Sequence, residues 1–184
     1  MENVRSSQFA RPRIDIRALF GLYDPADSTD WGPIRAAQVN SGRELALFLL
    51  VANLVAAGAV SLTLAGAIPT WQLWGWNALI AATAAGVAIR RLSSRTRESA
   101  TLQDVRGTMV DGIALGAVWS VAPLLFGRTA DLNLVLGVWI VLTILMTASA
   151  VAMAALPLAT ISFLGLLGLA TAVMLHAVVG TVFA

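Results

Sequence analysis

Long apolar stretches separated by short polar ones organise this chain. Apolar residues dominate from about Leu45 to Ala67, from Trp71 to Ile89, from Met109 to Phe126, and from Leu132 to Ala184. A helix needs about 20 apolar residues to cross a hydrocarbon core of about 30 Å. The first three runs each suit one crossing. The last holds 53 residues with no formal charge when His176 is neutral. As a single helix it would be about 80 Å long, so it must fold back. Pro157 cannot continue a hydrogen-bond ladder and restricts Leu156, which puts the bend near 153–157. The pattern predicts an all-α, polytopic transmembrane helix bundle with about five spans, near 44–67, 71–89, 109–126, 132–153 and 157–178. Gly180 to Ala184 reads as the opening of another apolar segment, so the expectation is a fragment whose sixth span is missing.

Residues 1–43 are of a different character and predict a cytoplasmic tail. Arg5, Arg11 and Arg13 sit among polar residues. Ile16, Leu19, Phe20 and Tyr23 then fall at i, i+3, i+4 and i+7, one face of a short amphipathic helix between Pro12 and Asp24-Pro25. Such a helix suits the inner leaflet, or equally a neighbouring soluble domain. Asp30 is placed as a helix cap with Pro33 in the first turn, leading through Arg35 and Gln38 into the first span.

Composition sharpens the membrane reading. The chain is 58% apolar and 12% charged, against roughly 25% charged in soluble domains, and its mean hydropathy is +0.81. All 12 basic residues are arginine: six precede the first span, five lie at 90–108 and one is Arg128. The positive-inside rule places the tail and a polar 90–108 loop in the cytoplasm, and the turns at 68–70 and 127–131 outside. Trp71, Trp74 and Trp76 then form an aromatic belt at the outer interface. The first apolar run starts too late for a cleaved signal peptide, so the first span acts as a signal-anchor. No aromatics interleave with the loop arginines, which argues against a nucleic-acid partner. There is no cysteine, and the sequence has one histidine and one tyrosine. With no phosphate-binding glycine loop, metal-ligand cluster or nucleophile–base pair, the expectation is a non-catalytic protein with no cofactor and no metal.

Four features single themselves out. Gly112, Gly116 and Ser120 recur every four residues in the third span, a small-residue stripe that lets helix backbones approach closely. The partner is expected to be the first or fourth span, or a second copy in a homodimer. Gly165 and Gly168 make a weaker small face, and Gly137 lies outside the stripe. Asp111, one turn into the third span, is an intramembrane polar site by default, but an interfacial role is favoured, snorkelling or meeting Arg106 or an arginine at 90–91. Asn53 is expected to hydrogen-bond another helix. His176, near the outer end of the fifth span, is expected to be an interfacial residue rather than a ligand or proton relay.

A resemblance adds to this. Leu22-Tyr23-Asp24-Pro25, Ile34-Arg35-Ala36-Ala37-Gln38, Asn53, the tryptophans at 71–76, Gly116-Ala117-Val118-Trp119-Ser120-Val121-Ala122-Pro123-Leu124-Leu125-Phe126 and Ala155-Leu156-Pro157 occur in that order. Over residues 15–184 the chain resembles the N-terminal six-span membrane sensor regions of bacterial cyclic-di-GMP signalling proteins, sphingomonad-like ones especially. There the membrane region precedes PAS, GGDEF and EAL domains. The resemblance implies a membrane anchor and sensory input module in a bacterial inner membrane, multi-pass with its N-terminus cytoplasmic. The lipid bilayer and cytoplasmic GGDEF/EAL or PAS domains in cis would be its partners. A full-length relative would be a diguanylate cyclase or phosphodiesterase. No GGDEF or EAL motif is present here, so no active-site residue carries over. The alternative class is a small permease or channel subunit, which would need polar residues along a mid-membrane path; Asn53 and Asp111 are the two residues that qualify.

Overall fold

The computed structural model describes residues 30–94, 96, 98–126 and 131–182. The amphipathic stretch at 14–23, the tail before it and most of the 127–131 turn lie outside the described residues. The architecture is an all-α helical bundle.

The first helix, α1 (Gly32–Glu44), is polar. Asp30 Oδ1 accepts from the Gly32 N–H at 2.9 Å, and Pro33, which has no N–H to lose, occupies the first turn. The chain breaks helical continuity at Leu45, and α2 (Ala46–Thr63) follows. The expected single helix running into the first span is therefore two. A tight turn closes α2: Gly66 takes φ +86°, a left-handed conformation that costs glycine nothing, while Leu64 and Ile68 point inward.

Pro69 opens α3 (Thr70–Ser93). Leu73, Trp76, Ile80, Ala84, Val87, Ala88 and Arg91 form its buried face, a helical spacing that ends in a charge. The helix does not stop at Arg90-Arg91 as expected, and the next, α4 (Leu102–Val121), begins before Met109. The anticipated 90–108 loop shrinks to 94–101. The cause is local capping. Thr101 Oγ1 accepts from the Asp104 N–H, and Asp104 Oδ2 accepts from the Thr101 N–H at 2.9 Å, a capping box that starts α4 early. At its far end α4 widens into a π turn over Ala122–Phe126. Pro123 lacks the N–H of a regular turn and would crowd the carbonyl four residues back, and the wider coil accommodates it.

Asp131 caps α5 (Leu132–Ala152) by accepting from the Leu134 N–H at 2.9 Å. A short turn with Met153 and Leu156 buried leads to Pro157, the first residue of α6 (Pro157–Val182). The predicted bend is where the structure puts it.

Among the described residues, four helices are long and apolar enough to cross a membrane: α2, α4 with its π turn, α5 and α6. The sequence reading counted five. The helix that falls short is α3, diluted by Gln72, Asn77, Arg90 and Arg91, although at 24 residues it is about 36 Å long and packs alongside α2 and α4. Side by side the helices form a ring in the order α2, α3, α4, α6, α5. The α4–α6 contact is the most extensive and α5–α6 the sparsest. Half of the apolar stretch of α4 is buried, against about a third in the other three, so α4 is the best-enclosed helix. One end of the bundle gathers α1, the arginines of α3, the start of α4 and the α5–α6 turn. The opposite end carries the Gly66 turn, the start of α3 and the π turn. Apolar residues such as Leu47, Val55, Leu62, Ile144, Val151 and Leu169 face outward, the inverse of a water-soluble surface and compatible with lipid contact.

Candidate functional site: buried polar links between helices

Asp111 projects from the first half of α4 into the arginine end of the bundle. Its side chain is 4% exposed, so it is buried rather than snorkelling. Arg91 Nε donates to Asp111 Oδ2 at 3.2 Å, and Arg90 Nη2 makes ion-pair contact with Oδ1. Both partners come from α3, as one of the alternatives in the sequence reading had it. Arg90 is 60% exposed whereas Arg91 is 7% exposed. Arg91 Nη1 also reaches the Gly42 carbonyl of α1 at 3.5 Å, a long contact. Its Nη2 has no hydrogen-bond partner among the described residues. One carboxylate thus holds two guanidinium groups, and the cluster touches α1, α3 and α4. Within such a site a carboxylate is worth most as the partner that makes a buried cation tolerable.

Midway along the bundle, Asn53 of α2 is buried and uses both ends of its amide. Its Nδ2 donates to the Leu49 carbonyl at 2.7 Å, and its Oδ1 accepts from Trp119 Nε1 at 2.6 Å. The interhelix bond expected of Asn53 therefore runs to α4. Trp119 is fully buried and meets Trp76 of α3 edge to face, with ring centroids 5.2 Å apart. Trp76 Nε1 donates to the Val118 carbonyl at 3.1 Å, and its ring meets Phe126 at 6.0 Å. Bonds of this kind contribute roughly 0.6–1.7 kcal/mol in membranes, and edge-to-face pairs about 0.5–1.5 kcal/mol. Of the belt tryptophans, Trp71 and Trp74 are exposed, while Trp76 belongs to the core.

The stripe on α4 lies against α6, the fifth span, and not against the first or fourth. A Cβ at Gly112 would collide with the Ala159 carbonyl oxygen and come within 3.0 Å of its carbon. A Cβ at Gly116 would sit 3.1 Å from Leu166 Cβ and 3.2 Å from the Phe163 carbonyl. Ser120 Oγ donates to the Gly116 carbonyl at 2.7 Å, with the Leu166 carbonyl at 3.3 Å also in reach. Gly165 and Gly168, three residues apart on α6, do not make a close seam: among the described residues nothing lies within 4 Å of a Cβ at Gly165, and one at Gly168 would meet only Met146 of α5 at 3.6 Å.

His176 is exposed on α6. It lies 17 residues beyond Ala159, about 25 Å along the helix, and so is not brought together with Asp111. Among the described residues no group of three or more His, Asp or Glu side chains is placed to hold a metal ion.

Sequence reasoning offered Arg91 as one alternative partner of Asp111 without placing it in the interior, and missed Trp76 and Trp119 as interior polar partners. The available signal was periodicity, since Arg91 continues the alternating four- and three-residue spacing of Ile80, Ala84 and Val87 along the buried face of α3. The Asn77–Ser61 bond between α3 and α2 carried no comparable signal. No family model, no curated protein and no solved structure matches this chain.

Proposed function

We propose that this chain is a non-catalytic membrane anchor and sensory input module, which regulates a cytoplasmic domain that makes or degrades cyclic di-GMP. The carrying observation is that the buried polar groups tie helices to one another. Asp111 with Arg91 and Gly42 joins three helices at one end, and Asn53 with Trp119 and Trp76 joins three in the middle. A change in packing at either point is felt across the ring, which is what an input module requires. The signal must bind two packings of the bundle with different affinity, because only that difference shifts their populations. The output chemistry rests on the sequence resemblance.

Orientation in this reading follows the charges. Arg35, Arg43, Arg90, Arg91 and Arg106 collect at one end of the bundle, and exposed Trp71 and Trp74 mark the other. By the positive-inside rule the arginine end, with the N-terminal tail, is cytoplasmic in a bacterial inner membrane.

The test is cellular. Gly116→Leu and Asp111→Asn are introduced into the gene, any downstream output domains included, and cyclic di-GMP is quantified by mass spectrometry. Either variant should change the nucleotide level per amount of the protein, with its abundance measured in the same cells because both variants are destabilising. A nucleotide level that does not respond to the variants or to deletion of the gene refutes the reading. Loss of a solute flux in the same strains would move the assignment to a permease or channel subunit.

A further inference from the structure

The polar helix α1 lies across the arginine end of the bundle. Its inward face is Gly32, Arg35, Ala36 and Gly42, three of which are too small to bury much apolar area. Trp31, buried just before the helix, adds a larger anchor. A Cβ at Gly42 would come within 2.7 Å of Leu156 Cδ1 and 3.5 Å of Arg91 Nη1, so this turn of α1 seats on the α5–α6 turn and on the buried ion pair together. Further ties run to the 94–101 loop. The Ala100 N–H donates to the Gly32 carbonyl at 3.1 Å, and Arg43 Nη1 donates to Thr96 Oγ1 at 2.6 Å in an exposed bond. Arg35, Gln38 and Asn40 take part in other polar or electrostatic interactions. Between α1 and α2 stands Leu45, at φ −93° and ψ 3°, outside the range of a continuous helix.

We infer that α1 is a lid, hinged at Leu45, that opens to admit water to the Asp111–Arg91 pair and closes to exclude it. Its seat is mostly polar, and water replaces polar bonds at little net cost, whereas water offers nothing to the apolar seams between the longer helices. Lids are drawn from the least stable part of a fold for this reason. What lies beneath makes the motion two-state. Closed, Asp111 and Arg91 are buried and paired; open, both are hydrated. An intermediate with either charge buried and unpaired is the costly arrangement. Leu156, on which Gly42 rests, passes the position of the lid to the α5–α6 turn. Such a motion does not depend on the output chemistry, because it is measured on the purified chain.

The experiment is hydroxyl-radical footprinting of the full chain in phosphatidylcholine nanodiscs, read by peptide mass spectrometry, with the lid free or locked. The chain has no cysteine. A Cβ at Gly32 lies 3.3 Å from Ser99 Cβ, near the roughly 3.5–4.5 Å of a disulfide, so Gly32→Cys with Ser99→Cys forms the lock. Trp31 and Leu156 report the two ends of the lid and Trp119 is the interior reference; all three are buried. With the lock reduced, Trp31 and Leu156 should oxidise faster than Trp119 after correction for intrinsic reactivity. Closing the disulfide should slow both at least about threefold, and reductant should restore them. Gly42→Leu, which wedges a side chain against Leu156, should raise both in the unlocked chain. A bismaleimide joining Arg43→Cys to Thr96→Cys is the second lock should the disulfide pair fail to fold or to close. Trp31 and Leu156 as protected as Trp119 in the unlocked chain, or rates that neither lock changes, would overturn the inference. So would a lock that protects Trp31 alone, which is fraying of the first turn of α1 and not the opening of a lid.

Discussion

A single methyl group on α4 should separate two glycines that look alike in sequence. Gly107 and Gly112 lie on the same helix. A Cβ at Gly107 meets nothing within 4 Å, whereas at Gly112 it collides with the carbonyl of Ala159. Carbon–oxygen contacts across helix interfaces settle near 3.3–3.6 Å, so α4 and α6 would have to part by on the order of 1 Å. That opening strains the whole seam, including the reach of Ser120 Oγ to the Leu166 carbonyl. Overpacking typically costs about 1–3 kcal/mol, and collision with backbone, which cannot change rotamer, belongs at the upper end. Replacing glycine by alanine in a helix gives back up to about 1 kcal/mol. Gly112→Ala should therefore lose about 2 kcal/mol net, while Gly107→Ala should be neutral or slightly stabilising. For a chain of this size, 2 kcal/mol corresponds to roughly 4–8 °C in Tm. Gly116→Ala should fall between them, because the Leu166 side chain can yield but the Phe163 carbonyl cannot. The assay is thermal unfolding of the purified bundle in mild detergent, followed by circular dichroism and by loss of monodisperse protein. Gly137 is unsuitable as a reference, since a Cβ there would approach Thr63 Cγ2 to 2.8 Å. Gly112→Ala melting at or above Gly107→Ala would refute close backbone packing of α4 on α6.

Asp111→Asn removes the charge that offsets buried Arg91, and breaking a buried pair typically costs about 3–5 kcal/mol; the same melts should show a large drop, with Arg91→Met restoring much of it, and an unchanged melt would mean that the carboxylate is not paired in the folded protein. Asn53→Leu leaves the Trp119 indole N–H without its acceptor and should cost about 1–3 kcal/mol. Trp119→Phe in the Asn53→Leu background should then cost less than in wild type, and strict additivity would count against the bond. The chain has no cysteine, so Ala65→Cys and Glu98→Cys test orientation without background: an impermeant maleimide should label the first in intact cells and the second only after lysis, and the reverse pattern would invert the proposed topology.

Much of the fold was legible because lipid imposes simple constraints. A helix must satisfy its backbone within itself and be long enough to cross the apolar layer, so apolar runs and the break at Pro157 locate α2, α5 and α6 to within a few residues. The limits of α3 and α4 were less legible. Their arginines looked like helix stops, but charge does not end a helix. The Thr101–Asp104 capping box does fix where α4 begins, and it was present in the sequence to be read. The span count turned on α3, where polar residues dilute an otherwise sufficient length.

Partner choice is what the tertiary structure alone decided. Small residues every four positions announce that something comes close, but the spacing is a property of one helix and cannot name the other; ring order gave the stripe to α6. Asp111 near the start of an apolar run is compatible with solvent or with burial, and only the placement of Arg91 beside it, with α1 over the top, made it interior. Asn53 needed an acceptor or donor from somewhere, and Trp119 supplied it because α2 and α4 bring the two to the same depth. Periodicity along one chain fixes which face of a helix is special. Which helix meets that face depends on packing among several surfaces at once, and in a bundle where every helix is apolar, hydropathy cannot distinguish one neighbour from another.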